Sequence, residues 1–172
     1  MAKIPGVVNN VIIRTNGDKK LLGIASLALP EVVQKTETIS VMGMLGEIEI
    51  PLIGHLENMT TTVKFSNISS ELEGFFESGV DIVASASLQE LDQQTSLPTT
   101  TPLEAVIKGM PKSIKLGDLA VAAKAESDVE LVVTYFRLSI GGKEVVEADK
   151  TNFILNINGK DMLKNIRSDL KI

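Results

Sequence analysis

The 172-residue chain contains no cysteine and no tryptophan, and its aromatics amount to five phenylalanines and one tyrosine. Without cysteine there is no disulfide, no thiolate metal site and no thiol nucleophile, which suits a protein made in a reducing cytoplasm. Long apolar runs are missing too. The longest candidates, Leu21 to Pro30 and Thr38 to Gly46, are about half the roughly 18 residues that a membrane helix needs, so no membrane insertion is expected. Met1-Ala2-Lys3-Ile4-Pro5-Gly6 offers no apolar h-region, and no secretory signal is expected either. Charged residues at 23% and hydrophobic ones at 44% exclude intrinsic disorder. The length suits one domain, residues 1–172, with room for a core that needs no staples.

What the chain does have is small aliphatic side chains. Mean hydropathy is +0.19, positive although aromatics, which usually carry much of a core's area, make up only 3%. That surplus of Val, Ile, Leu and Ala over many short segments points to burial between subunits. The net charge is −5, and the acid is weighted to the first half: through Ala86 there are six Lys/Arg against ten Asp/Glu.

The periodicity is mostly β. Val7 to Arg14 is β-branched and ends at Asn16-Gly17-Asp18, a tight-turn signal; Lys19 to Leu29 reads as the return strand of a hairpin, ended by Pro30. Glu31 to Val41 alternates with polar groups on both faces, Met42 to Gly46 is an apolar glycine-hinged stretch, and Glu47 to Ile50 alternates again before Pro51. Met59 to Ser66 is a further strand. Ile68, Leu72, Phe75 and Phe76 fall at i, i+4, i+7 and i+8, which predicts a core-plugging α-helix stopped by Gly79. Val80 to Leu91 reads as a strand and Asp92 to Pro102 as a loop. Glu104 to Met110 and Leu119 to Ala125 read as strands around a turn at Lys115 to Asp118. Asp128 to Ile140 is the longest alternating run, with Val129, Leu131, Val133, Tyr135 and Arg137 on one face and Phe136 on the other. Gly141-Gly142 turns it into Lys143 to Ile157, Asn158-Gly159 turns again, and Lys160 to Arg167 reads as a short terminal helix. The predicted class is mainly β with one packed α-helix and a short C-terminal helix.

The chemistry is sparse. His55 is the single histidine and cannot supply a metal-ligand set without partners. Gly141-Gly142 and Gly43 to Gly46 lack phosphate-loop spacing, and no nucleophile elbow exists among the serines. Glu47 and Glu49 share a strand face, where they read as a solvated edge rather than as a catalytic pair. Lys160, Lys164, Arg167 and Lys171 form a basic stripe near the C-terminus, but without aromatic platforms in an acidic chain they do not read as a nucleic-acid site. No enzyme and no cofactor is expected. A ligand-binding β-barrel remains an alternative, weakened by the shortage of aromatics for a pocket.

Val133-Thr134-Tyr135-Phe136-Arg137-Leu138-Ser139-Ile140-Gly141-Gly142-Lys143-Glu144-Val145-Val146-Glu147-Ala148-Asp149 and Thr151-Asn152-Phe153-Ile154-Leu155-Asn156-Ile157-Asn158-Gly159-Lys160-Asp161 resemble a signature near the C-terminus of the major tail tube proteins of contractile-tailed bacteriophages and R-type bacteriocins. The C-terminal forty residues carry most of the resemblance. It implies a β-barrel or sandwich protomer, six of which form a ring, with rings stacking into a tube that conducts phage DNA into the host; a DNA-free bacteriocin-like particle is the alternative. Implied partners are further copies of the chain, the tail sheath protein, the baseplate initiator, the tape measure and tail terminator proteins, and double-stranded DNA passing without specific binding. The implied location is the virion tail, assembled in the bacterial host cytoplasm. On this reading Thr36 to Ile53 forms a hairpin. Met42, Met44, Leu45, Ile48 and Ile50 are the expected inter-ring or inter-protomer contacts, and Glu47 and Glu49 the lumen-facing residues.

Overall fold

The computed structural model describes residues 3–15, 19–20, 24–43, 45–68, 70–76 and 79–171. Among these the main sheet is antiparallel and runs β12-β11-β10-β9-β8-β7-β1-β2, with β6 branching from β9 and β3 from β6. The strands are β1 (Lys3–Thr15), β2 (Lys19–Lys20), β3 (Ile24–Ala28), β6 (Met59–Phe65), β7 (Val80–Asp92), β8 (Pro98–Lys115), β9 (Ser127–Ile140), β10 (Lys143–Asp149), β11 (Ile154–Ile157) and β12 (Lys160–Asp161). β4 (Gln34–Ile39) and β5 (Ile48–Leu56) form a separate two-stranded sheet. The fold is mainly β, as the alternation implies. Its main ladder is open, ending at β2 and β12 rather than closing into a barrel.

The core is aliphatic, in keeping with the composition. Val63, Ile82, Ile107, Val129, Leu131, Val133 and Leu155 are buried, alongside Phe65, Phe75 and Phe136. Phe65 and Phe75 meet edge to face with ring centroids 5.6 Å apart, the geometry aromatic quadrupoles favour. The segment bearing Phe75 is a 3-10 helix, Ser70–Phe75, rather than the α-helix that the spacing predicts. With three residues per turn, Leu72 and Phe75 stack on one face and are buried, whereas Phe76 falls off it and is 63% exposed.

The unbroken alternation expected in β9 is interrupted. Register with β8 steps from Lys108↔Tyr135 to Gly109↔Val133, leaving Thr134 as a bulge. The extra residue turns the strand over, so the buried side passes from Val129, Leu131 and Val133 to Phe136. Gly109 permits this crossing, since a Cβ there would lie 2.4 Å from the Val132 carbonyl oxygen. The same point is the fork of the sheet: β6 begins against β9 at Met59↔Val133, and β10 ends at Asp149↔Tyr135.

Other boundaries differ for local reasons. β1 and β2 pair at two positions, Arg14↔Lys20 and Thr15↔Lys19, while β3 pairs with β6; the Asn16-Gly17-Asp18 turn lies outside the described residues. Pro51 lies inside β5, tolerated because each strand of a two-stranded sheet has an open edge. Pro98 to Pro102 belong to β8, and the loop before them shrinks to a turn in which the Asp92 carboxylate accepts the Gln94 and Thr95 backbone N–H groups. Residues 116–126 form a loop, not a strand. Lys143 to Ile157 is two strands joined by a turn at Asp149, and the terminal helix α1 is Lys164–Leu170. Both glycine turns are as expected, with positive φ at Gly141, Gly142, Asn158 and Gly159, as two-residue hairpin turns require.

Candidate assembly surfaces

The β4–β5 hairpin is the one two-stranded sheet among the described residues, and it has two unlike faces. Pairs Glu37↔Ile50 and Ile39↔Ile48 present one side; Thr36↔Pro51 and Thr38↔Glu49 present the other. Ile39, Ile48 and Ile50 are 40, 49 and 41% exposed, an isoleucine face that the protomer does not cover. The opposite face is Thr36, Thr38 and Glu49, where the Thr36 hydroxyl donates to the Glu49 carboxylate at 2.5 Å. Beyond the strands the chain turns through Gly43 (φ +93°) and Gly46 (φ +101°). Met42 and Leu45 at this tip are fully exposed. Met44 lies outside the described residues. Glu47, just before β5, is exposed as well.

The hairpin is fastened at its root. Register jumps from Thr36↔Pro51 to Gln34↔Leu56, so several β5 residues bulge over the body. Gly54 (φ +82°) sits there, and a Cβ on it would lie 3.1 Å from Leu163 and 3.3 Å from Phe153. The Glu57 N–H donates to the Val33 carbonyl (2.9 Å), and the Lys150 ammonium donates to the Glu57 carbonyl (2.5 Å). Burial holds the Lys150 pKa below the usual lysine range. A 230 Å³ cavity lies under the root, lined in part by His55, Asp149 and Lys150. His55 therefore lines the cavity at the hairpin root. Among the described residues no group of three His, Asp or Glu is placed to hold a metal.

Two exposed apolar surfaces went unread in the sequence. Along β1, Ile4, Val7, Val8 and Val11 are all exposed where it pairs with β7. The register with β7 shifts on either side of Val8, and Val7 and Val8 are both left uncovered there. In loop 116–126, Leu119 and Val121 project fully. Gly117 pins the loop's neck, where a Cβ would collide with the Glu126 backbone.

The C-terminal segment builds a different surface. Tyr135 and Arg137 line a 480 Å³ recess with Lys108, Thr134, Asp149 and Asn152. Arg137 donates to Glu104 at 3.1 Å, and the Tyr135 hydroxyl donates to Glu147 at 2.9 Å. In α1, Arg167 pairs with Asp161 and donates to the Phe153 carbonyl, whereas Lys164 and Lys171 are exposed. No convergent set of nucleophile, base and donors stands out among these groups; what the protomer presents is uncovered apolar and charged surface.

The family model for phage tail tube protein FII matches residues 5–170. The tail tube protein of Escherichia phage P2 is 30% identical over 153 residues, covering 84% of this chain and 85% of the phage protein. Among solved structures, a chain from the sheath/tube terminator of an extracellular contractile injection system, PVC, in its extended state aligns with a TM-score of 0.56 at 16% identity, covering 78% of this chain and 96% of that one. A chain from the PVC sheath-tube complex, also extended, gives 0.56 at 14% identity, with 78% and 91% covered. At these identities the structural likeness concerns the fold.

Proposed function

This chain belongs to the phage tail tube protein FII family, whose relatives here are structural proteins and not enzymes, and from that premise we propose that six copies form a ring and that rings stack into the inner tube of a contractile tail. The observation that carries this reading is the free-standing β4–β5 hairpin, with its uncovered isoleucines on one face and Thr36, Thr38 and Glu49 on the other. A strand pair with a protein-seeking side and a water-seeking side is what a channel wall needs. Ile48 and Ile50 face neighbouring copies, Met42, Met44 and Leu45 reach the adjoining ring, and Glu47 and Glu49 face the lumen. An anionic wall lets DNA slide, because each Lys or Arg contact to phosphate would retain it. The identity to a phage protein supports a DNA-conducting tail over a DNA-free particle. The sheath, baseplate initiator, tape measure and terminator are the remaining partners, and the assembled location is the virion tail.

Electron microscopy of the purified protein, with and without an initiator complex, tests this. Wild-type protein is expected to give rings or tubes. Met42→Asp with Leu45→Asp is expected to give folded protomers, with unchanged circular dichroism, that do not elongate. Stable monomers at high concentration in the presence of initiator would overturn the proposal.

A further inference from the structure

Besides the isoleucine face of the hairpin, a second uncovered surface matches it in charge. Lys164 and Ser168 stand at i and i+4 on α1, so they share one flank, and Lys171 caps the helix just beyond; all three are exposed, and Lys160 in β12 is exposed nearby in sequence. Lys160, Lys164 and Lys171 have no ion-pair partner among the described residues. The inner side of α1 is already occupied: Leu163 and Ile166 pack on Gly54 at the root of the same molecule's hairpin, and Arg167 is held by Asp161 and Phe153. The isoleucine face carries one charged residue within its paired register, Glu37 opposite Ile50. Both surfaces stay exposed in one protomer, so they do not cover each other within it.

We infer that the isoleucine face of one copy's hairpin lies on the lysine flank of α1 in the next copy of the ring, with Glu37 opposing Lys164 and Lys171. This rests on the ring proposed above and names which surface meets which. A lone two-stranded ribbon is marginal in water, so its apolar side requires a cover. Lysine is suited to supply one, since its methylene stem lies along apolar surface while the ammonium reaches an acid. The two patches are different, and each has a copy of the other on every protomer. Repeated head to tail, such a contact is heterologous and builds a ring when its rotation closes. It also leaves the Thr36, Thr38 and Glu49 face turned away from the contact.

The absence of native cysteine makes a direct test possible. Glu37→Cys and Ser168→Cys chains, each with one thiol, are mixed, assembled with initiator and treated with a short bis-maleimide. The expected product is a heterotypic dimer joining the two variants, in excess of either self-linked dimer. In parallel, Glu37→Lys and Lys164→Glu should each cut tube yield on the order of tenfold through like-charge opposition, and the double variant should recover most of it. Recovery is something an unfolded chain could not give. Tubes that form without the heterotypic link, self-links in its place, or a double variant no better than the singles would overturn the inference and leave the tube reading intact. A wild-type chain that forms no rings with initiator would overturn both.

Discussion

Tyr135 shows how one residue reports on the fork of the sheet. It lies beside the Thr134 bulge, its hydroxyl donates to Glu147, and the Lys108 ammonium sits 5.9 Å from its ring centre. Burial, reinforced by the Glu147 carboxylate, pushes its pKa from 10.0 up to about 12. Both causes disfavour the phenolate: burial strips its solvation, and the neighbouring carboxylate repels it. As the single tyrosine in a chain without tryptophan, it can be titrated alone by near-ultraviolet absorbance. Its midpoint is expected near 12, and Glu147→Gln should move it back toward 10. A wild-type midpoint at the ordinary value would mean that the fork is open to water. The sign for stability follows directly. An acid whose folded pKa is raised stabilises its protonated form, so this contribution is present below the unfolded pKa and declines as pH rises toward the folded one.

At the scale of elements, the β10–β11 turn governs where the hairpin root sits, because it places Lys150 under Glu57. Asp149, 8% exposed, builds that turn by accepting from the Thr151 N–H (2.9 Å) and hydroxyl (2.7 Å), and from the Asn152 N–H (2.9 Å) and amide (2.7 Å). Burial alone would raise its pKa, but these bonds, led by that from the Asn152 side chain, outweigh it and hold the carboxyl below its ordinary 3.8. A depressed folded pKa gives stability that is present above the unfolded pKa and lost as pH falls through the folded value. Asp149→Ala is therefore expected to cost about 1–3 kcal/mol near neutral pH by urea unfolding, with the gap to wild type narrowing below the ordinary carboxylate range. A gap independent of pH would show that the carboxylate's charge plays no part. Elements of this kind divide in how legible they were. Strands with steady alternation, such as β6 and the part of β9 before Thr134, and hairpins punctuated by Gly141-Gly142 or Asn158-Gly159 could be read, because period and turn chemistry are local. The flip at Thr134 could not: it is set by the close approach of Gly109 to Val132, a contact between residues distant in sequence. The α-helical spacing around Phe75 tightened to 3-10 because two anchors, Leu72 and Phe75, suffice to plug the core. Leu119 to Ala125 looked like a strand because apolar residues cluster there, yet no ladder partner reaches them among the described residues. The exposure of Met42 and Leu45 at the hairpin tip was legible for the same reason in reverse, since an apolar, glycine-hinged stretch had no intrachain use.

For the whole molecule, the open ladder and the two-faced hairpin set separate demands on its surfaces. In the proposed tube, side chains that meet other copies must be apolar or oppositely charged, while the lumen wall must repel what passes. The hairpin pairing permits both at once, because Thr38↔Glu49 and Glu37↔Ile50 alternate across a single ribbon. A substitution on the proposed lumen side should accordingly alter cargo without altering assembly. Glu49→Lys is such a change: it lies on the face opposite the isoleucines and disturbs the Thr36 hydroxyl bond alone among those described for it. In the proposed ring and stack, it would line the channel with ammonium groups that attract phosphates. Each phosphate neutralised releases condensed counterions, so retention of DNA should be strong at low salt and fall steeply as salt rises. Tubes of the variant are expected to look normal in the electron microscope, and sedimentation with fluorescent DNA should show salt-sensitive capture that wild-type tubes lack. In a phage carrying the variant, genome delivery should slow while particle number stays the same. Normal tubes with no gain in DNA retention would place Glu49 away from the lumen and turn the Thr36–Thr38 face toward protein instead.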